Sequence, residues 1–329
     1  MRTRLLPLAL VPLVVLVALL PGSARADGLP VLDENLAWFG ASTPAMKGVR
    51  YLTFPARKGT VLAKVDMTTG QVMRSRFLRG RLSVPLVAYD GSSAGLSANG
   101  KTLVLIKPRR TFPRAATTFT VLATRRLDSK RTFTLRGDFS FDAISPEGRW
   151  LYLVEYLAPR DPARYLVRLY DLERRRLLSD PIIDPREVGD VMRGMPVTRA
   201  NSPDGRFAYT LYDGAGKHPF IHALDTVEKS ARCIDLHGLM GYQRLGDLKL
   251  DVSPDGGTIA VVLGDEPKAL VDTTTNEVTD PPLASVQTAA AVEEPSSVPW
   301  LLVAGVAAGL LLLLFGVHRL LKRSRVPVA

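Results

Sequence analysis

The chain has little sulfur and few imidazole groups. Its 329 residues contain one cysteine, Cys233, and four histidines. A single cysteine excludes an intrachain disulfide, so a folded domain must be stabilised by apolar burial. Cys233 lies in a short strand-like stretch with no histidine close to it in sequence, which favours a buried thiol over a nucleophile.

The three histidines before residue 240 do not have the spacing of a metal site. His218 and His222 are four residues apart, but a strand would separate them by about 13 Å along its length. His237 follows much later, outside any helical His-x-x-x-His pattern. The sequence therefore predicts no metal and no cofactor.

Acidic residues are scarce in one part of the chain. Residues 47–136 hold 19 basic and 3 acidic residues, whereas residues 137–297 hold 17 basic and 26 acidic ones. This asymmetry predicts a dipolar domain whose field steers an anionic partner to one side. We expect that partner to be an envelope polymer, a lipid head group or an acidic protein, and we expect no nucleic acid.

Both ends of the chain carry long apolar runs. Residues 1–26 combine a basic start, an apolar stretch and a small-x-small site, which is typical of a cleaved signal peptide. Residues 298–317 contain no charge and are long enough to cross a ~30 Å hydrocarbon core as a helix. The basic tail that follows, 318–329, predicts a cytoplasmic C-terminus.

These runs predict a single-pass protein of a bacterial plasma membrane, with the N-terminal domain outside. Arginine outnumbers lysine 32 to 11, a composition that we read as typical of a GC-rich bacterial genome. Residues 282–297 have the composition of a flexible linker. Gly305 and Gly309 form a small-xxx-small pair that predicts weak self-association of the helix.

A short turn recurs four times in residues 27–281. Each copy starts with serine, ends with glycine and precedes an apolar, strand-like run, with spacings of 48, 57 and 51 residues. A repeat of this period predicts stacked or radially arranged units. The copies begin at Ser97, Ser145, Ser202 and Ser253.

A second turn, centred on aspartate, follows the next strand of each unit. Aspartate and the threonine or serine after it bond to local backbone amides and reverse the chain. These turns begin at Asp66, Asp128, Asp171, Asp225 and Asp272.

Together the two turns define a unit of four antiparallel strands, a to d, in which the serine turn joins a to b. Four such strands in about 50 residues are one propeller blade. The predicted fold is therefore an all-β propeller of about five blades, with six also open, plus the C-terminal membrane helix. The blades are predicted at about 30–81, 82–136, 137–186, 187–243 and 244–281.

The Ser-Pro-Asp-Gly turns and the aspartate hairpins resemble the WD40-like bacterial β-propellers of the translocation-protein and surface-layer type. The resemblance covers about 240 residues and is specific for the fold. The resemblance implies a function as a scaffold, a ligand sensor or, as in some members, a hydrolase or lactonase. The fold alone does not choose among these functions.

Propeller ligands usually lie on the b–c and d–a loops at one end of the channel. On the first two blades these loops are rich in cations, and arginine suits phosphate or carboxylate. We therefore expect a non-catalytic binding or interaction module. Two alternatives for the basic loops are a solvated surface without a ligand and a surface that pairs with the acidic blades of a second copy. The alternative function is an envelope hydrolase or lactonase with its site at the channel mouth. The predicted anion-binding residues are Arg57, Lys58, Arg79, Arg81, Lys107, Arg109, Arg110, Arg114 and Arg136.

A glycine-rich segment, residues 213–219, follows the strand-like run at residues 207–212. It lacks the spacing of a phosphate-binding loop and no helical pattern follows it. We expect a tight b–c loop in which Lys217 and His218 are possible ligand contacts, and no catalytic residue is assigned.

Overall fold

The computed structural model describes residues 40–43, 46–158, 161–187 and 191–279. The predicted signal peptide, linker, membrane helix and tail lie outside these residues. Within the described ranges no helix has both the length and the apolar character needed to cross a membrane.

The described residues form five antiparallel sheets. Sheet 1 contains β1 (Val49–Ala56), β2 (Gly59–Asp66) and β3 (Val72–Arg79). Sheet 2 contains β4 (Thr102–Ile106), β5 (Ala116–Ala123) and β6 (Asp128–Arg136). Sheet 3 contains β7 (Phe139–Ile144), β8 (Trp150–Ala158), β9 (Asp161–Asp171), β10 (Arg176–Ile182) and β11 (Met192–Arg193), which pairs with β9.

Sheet 4 contains β12 (Pro196–Asn201), β13 (Phe207–Tyr212), β14 (Phe220–Asp225) and β15 (Ser230–Asp235). Sheet 5 contains β16 (Lys249–Val252), β17 (Thr258–Leu263), β18 (Glu266–Asp272) and β19 (Val278–Thr279). Three short 3-10 turns lie in loops of this region, at Gly214–Gly216, His237–Leu239 and Leu245–Asp247. Each sheet falls within one predicted blade, except that β11 lies beyond the predicted end of the third.

The four serine turns share one hydrogen-bond pattern. In the third, the Ser202 hydroxyl donates to Asp204 at 2.5 Å and accepts from the Phe207 amide at 2.8 Å. The Gly205 amide donates to the Ser202 carbonyl, also at 2.8 Å. Serine thus closes the turn and holds the first residue of strand b. The turns at Ser97, Ser145 and Ser253 repeat these bonds.

Four of the five predicted aspartate turns are present. The carboxylate of Asp171, for example, accepts from the amides of Glu173 and Arg174 at 2.8 and 2.9 Å. The prediction for Asp128 is wrong, because the turn occupies residues 124–127 and Asp128 already begins β6. Its side chain forms an ion pair with Arg76 of sheet 1 instead. The turns that match begin at Asp66, Asp171, Asp225 and Asp272.

The serine turns of different sheets lie together. The Asn99 amide donates to the Pro146 carbonyl at 3.0 Å, which joins the turns of sheets 2 and 3. A Cβ added to Gly205 would lie 2.4 Å from Ala98, so the turns of sheets 4 and 2 also touch. Because the serine turns share one end of the molecule, the b–c and d–a loops share the other end.

Buried apolar side chains fill the spaces between neighbouring sheets. Each pair of sequential sheets has its own cluster, in keeping with blades that cover one another's faces. Each cluster contains residues of both neighbouring sheets, such as Leu62 and Leu103, Phe119 and Leu153, Tyr152 and Leu224, and Leu211 and Val261.

The inner part of the second predicted blade is not a regular strand. Residues 86–93 form a small hairpin, closed by a bridge between Leu86 and Ser93. The Tyr89 amide donates to the Pro196 carbonyl at 2.9 Å, so this hairpin reaches across to β12 of sheet 4. The hairpin therefore links the second predicted blade directly to sheet 4.

Candidate functional site

The structure divides the nine predicted anion-binding residues into two groups. Seven of them have exposed side chains on the b–c and d–a loops or at adjoining strand ends of sheets 1 and 2. These seven are Arg57, Lys58, Arg79, Arg81, Lys107, Arg110 and Arg136.

Arg109 and Arg114 form the second group, and the prediction that they bind a ligand at the surface needs correction. The Arg109 side chain is 2% exposed, and its Nη2 lies 2.6 Å from Asp138 Oδ1. The Arg114 Nε lies 3.2 Å from the same oxygen, and the Arg114 amide donates to Asp138 Oδ2 at 2.8 Å. These bonds tie the b–c loop of sheet 2 to the start of sheet 3.

The environment of the pair is that of a structural ion cluster. The Arg109 guanidinium lies over the Tyr156 ring at 4.9 Å from its centroid. Burial, followed by repulsion from Arg109, lowers the pKa of Arg114 to about 10, against the opposing attraction of Asp138. Because one carboxylate serves two cations, the loop carries a residual positive charge close to the exposed Arg110 and Lys107.

Arg57 and Arg81 line one cavity at the loop end of sheet 1. Its volume is about 190 Å³, and we call it the basic cavity. The Thr60 hydroxyl is engaged there, because it accepts from the Leu82 amide at 2.9 Å and lies 3.1 Å from the Gly80 carbonyl. The remaining lining residues are Thr53, Pro55, Ala56, Gly59, Leu82 and Ser83.

Ser83 gives the basic cavity an open hydrogen-bonding position. Its Oγ is buried and has no hydrogen-bond partner among the described residues. Buried hydroxyl groups are nearly always paired with protein or water. Two arginines and an unsatisfied hydroxyl at one cavity therefore match the needs of an oxyanion, which accepts hydrogen bonds.

A second cavity, of about 210 Å³, lies beside sheet 4, and we call it the histidine cavity. The predicted contacts Lys217 and His218 both line it. Its polar lining also includes Asp184, Glu187, Arg193, His222, Cys233 and Asp235.

The strand register explains why these side chains meet. β14 and β15 pair Phe220 with Asp235 and His222 with Cys233. A bond of 2.8 Å from the Leu236 amide to the Pro219 carbonyl extends the ladder beyond the strands. Because alternate residues share a face, residues 218, 220 and 222 lie beside residues 237, 235 and 233.

His218, Asp235 and His237 form a close cluster at the mouth of this hairpin. His218 Nε2 lies 2.9 Å from Asp235 Oδ1, and the two imidazole rings stack with centroids 4.7 Å apart. One donor atom from each residue lies within 4.8 Å of the others. The sequence prediction missed His237, because it compared histidines along one strand instead of across the register of two.

The inner wall of the histidine cavity is buried and strongly bonded. Burial alone would raise the pKa of Asp184, but hydrogen bonds from Arg186 and the Cys233 amide outweigh it and hold the pKa at about 2. Cys233 is buried, as predicted, and burial raises the pKa of its thiol, which disfavours the reactive thiolate. Burial also lowers the pKa of His222 to about 4, so this imidazole is neutral at pH 7.

A Gly-x-Ser-x-Gly sequence at residues 91–95 does not make a nucleophile elbow. That motif needs a serine on a turn between a strand and a helix. Ser93 lies in the 86–93 hairpin, where its hydroxyl donates to the Gly40 carbonyl at 2.6 Å, and the next element along the described chain is the strand β4, not a helix.

No family model matches the chain, and no curated protein does either. Among solved structures, the chain is similar to hydrazine synthase of Kuenenia stuttgartiensis, with 15% identity, 80% of this chain and 69% of that one covered, and a TM-score of 0.43. The β-propeller domain of Cps50 (Swd1) from Myceliophteria thermophila has 11% identity over 71% of this chain and 70% of that one, with a TM-score of 0.41.

TolB of Acinetobacter baumannii has 15% identity over 70% of this chain and 68% of that one, with a TM-score of 0.34. Likenesses at this level of identity concern architecture and carry no ligand from one protein to another. With its five antiparallel sheets, its serine turns and its aspartate hairpins, the chain resembles WD40-like and TolB-type β-propellers in its fold.

Proposed function

We propose that this chain is a non-catalytic binding module that presents a β-propeller on the outer side of a bacterial plasma membrane. In this proposal residues 1–26 direct export, residues 298–317 anchor the chain, and residues 318–329 lie in the cytoplasm. The apolar and charged patterns of the sequence support this placement. Recovery of the intact chain in an aqueous fraction without detergent would contradict it.

The ligand of the module carries phosphate or carboxylate groups. The observation on which this rests is the convergence of Arg57, Arg81 and the unsatisfied Ser83 hydroxyl on the basic cavity. Arginine holds such groups through two parallel hydrogen bonds. The ligand would lie over the loop ends of sheets 1 and 2, where the other exposed cations add a long-range attraction.

The test uses the full-length chain in nanodiscs of zwitterionic lipid and three soluble probes. Polyphosphate stands for an envelope polymer, glycerophosphoglycerol for a lipid head group, and polyglutamate for an acidic protein. We expect at least one probe to bind and its affinity to fall steeply between about 50 and 200 mM salt, because binding releases counterions.

The double variant R57E/R81E should weaken binding of that probe by about tenfold or more, since charge-assisted hydrogen bonds are lost. The matched control is R125E/R126E, which changes the net charge equally at exposed residues of the turn between β5 and β6. Equal weakening by both variants would show a general electrostatic effect and would overturn the assignment of the basic cavity.

A second candidate function, a hydrolase or lactonase-like enzyme, has one observation in its favour. Imidazole and carboxylate groups converge on the histidine cavity, at the loop end of sheet 4. Such groups activate water in hydrolytic sites. Turnover of an ester by the metal-loaded chain would favour this candidate over a purely binding module.

A further inference from the structure

We infer that His218, Asp235 and His237 form a binding site for a divalent transition-metal ion such as Zn²⁺. The three residues come from the b–c loop, the end of β15 and the 3-10 turn that follows it. This site uses none of the residues of the basic cavity, so its success or failure is independent of anion binding.

The donor set fits this class of ion. Two imidazoles and one carboxylate are typical ligands of Zn²⁺ and its neighbours, whereas Ca²⁺ and Mg²⁺ prefer oxygen alone. With Zn–N bonds of about 2.0–2.1 Å, tetrahedral ligands lie about 3.3 Å apart. His218 Nε2 and Asp235 Oδ1 are already 2.9 Å apart, and all three donors lie within 4.8 Å. Because the two imidazole rings are stacked, at least one of them must rotate out of the stack for both rings to direct their in-plane lone pairs at one ion.

The backbone that carries these ligands is held in place. The Leu236 amide donates to the Pro219 carbonyl at 2.8 Å, which joins the two ligand-bearing segments. Leu236 and Leu239 are buried in the cluster between sheets 4 and 5 and so fix the turn on either side of His237. Ligands on anchored elements lose less entropy when an ion binds.

A buried imidazole provides an independent sign that this cavity takes a ligand. His222 is 1% exposed, lines the histidine cavity, and its Nε2 has no hydrogen-bond partner among the described residues. Buried polar atoms are nearly always paired with protein, water or an ion, so a ligand in this cavity would complete the hydrogen bonding of His222.

The charges around the cavity are compatible with a cation. Glu187 lines it as a second carboxylate, while Asp184 is paired with Arg186 at 2.6 Å. Lys217 and Arg193 also line the cavity. The positive charges of these two side chains repel further cations, which limits the site to one ion. His218 and Asp235 are partly exposed and His237 is exposed, so the ion has a path from solvent.

The experiment is a titration of Co²⁺, followed by competition with Zn²⁺, on the full-length chain in detergent, without a histidine tag and freed of metal by a chelator. We expect one equivalent of Co²⁺ to bind with a ligand-field absorption band. H218Q and H237Q should each weaken binding by at least about tenfold, because even outer-shell changes have effects of about 10–100-fold.

Two controls separate this site from the other sources of metal ligands in the chain. H318Q removes the one histidine that lies in the predicted tail, and C233S removes the thiol of the neighbouring cluster of Asp184, Glu187 and Cys233. Both controls should bind Co²⁺ like the unaltered chain. Unchanged binding in H218Q and H237Q, abolition by C233S alone, or no stoichiometric binding at all would each overturn the inference.

A second readout protects the test against misfolded variants. Zn²⁺ should raise the unfolding temperature of the unaltered chain and of H318Q, since an ion that binds only the folded state stabilises it. H237Q changes an exposed residue, so without metal it should unfold at the same temperature as the unaltered chain. An H237Q variant that is equally stable and equally stabilised by Zn²⁺ would contradict the proposed site.

Discussion

His222 is buried and neutral in the folded chain, and this makes stability depend on pH. Burial lowers its pKa from 6.5 to about 4, so between these values the unfolded chain binds a proton that the folded chain does not. Stability is then fully present above pH 6.5 and is lost as the pH falls toward 4. The contribution of this residue is about 3 kcal/mol over the whole window, from a shift of about 2.5 pKa units.

The variant H222Q tests this contribution, because glutamine is polar and does not titrate. We expect the free energy of unfolding of the unaltered chain to fall by about 2 kcal/mol more than that of H222Q between pH 7 and pH 5. Urea unfolding in the presence of a chelator measures both. Parallel pH profiles would show that His222 is protonated in the folded state as well.

Asp138 illustrates how one residue decides the role of its neighbours. It accepts hydrogen bonds from Arg109 and from both the side chain and the amide of Arg114. A buried carboxylate with these partners holds a loop in place, because removing it would leave two desolvated cations. The same loop then presents Lys107 and Arg110 to solvent on a fixed backbone.

At the scale of the element, the serine turn joins two strands and also packs against other turns. Gly205 has φ of +72°, and a Cβ at this position would meet Ala98 of sheet 2 at 2.4 Å. Gly70, in the turn between β2 and β3, has the same φ of +72° with nothing within 4 Å. The two glycines thus differ in packing while they share a backbone conformation.

Replacing each glycine by alanine separates these two effects. G70A should lower the free energy of unfolding by about 1 kcal/mol, which is the cost of the left-handed conformation. G205A should lower it by about 3 kcal/mol, because overpacking adds its own cost of about 1–3 kcal/mol. Chemical unfolding followed by tryptophan fluorescence measures both. Equal losses would mean that the turns of sheets 2 and 4 do not touch.

At the scale of the whole molecule, local patterns in the sequence predict the sheets well. The hydrogen bonds of a serine or aspartate turn join residues that are close in sequence. The turns at Ser202 and Asp171 can therefore be predicted without knowledge of the fold. The five sheets and most of their bounds follow from such turns and the apolar runs between them. The shift at Asp128 is an error of a few residues in one hairpin.

The candidate sites are harder to predict from the sequence, because they depend on contacts between residues that are far apart in the chain. Asp138, which neutralises Arg109, lies 29 residues after it. The meeting of His218 and His237 depends on the register of β14 with β15, and the sequence alone leaves that register open by one residue in either direction. Turn chemistry is thus predictable from neighbours, whereas burial of an arginine or convergence of two histidines requires the assembled sheets.

Asp90 connects the 86–93 hairpin to sheets 4 and 5 and shows how the assembly is held together. At the tip of the 86–93 hairpin, its carboxylate accepts from Thr198 of sheet 4 and from Lys249 of sheet 5, each at 2.8 Å. Burial would raise the pKa of Asp90, but the bonds from Lys249, Ser92 and Thr198 outweigh it and lower the pKa. One carboxylate thus joins this hairpin to sheets 4 and 5.

The variant D90N removes this charge while it keeps the shape of the side chain. We expect the free energy of unfolding to fall by about 1–3 kcal/mol, because charge-assisted bonds to a buried group are lost. The control is D128N, which breaks the half-exposed ion pair with Arg76 between sheets 1 and 2 and should change stability by less than about 1 kcal/mol. Chemical unfolding of the full-length chain compares the two. A D90N variant no less stable than D128N would mean that the hairpin rests against sheets 4 and 5 without holding them, and that the apolar clusters between sequential sheets alone keep the blades together.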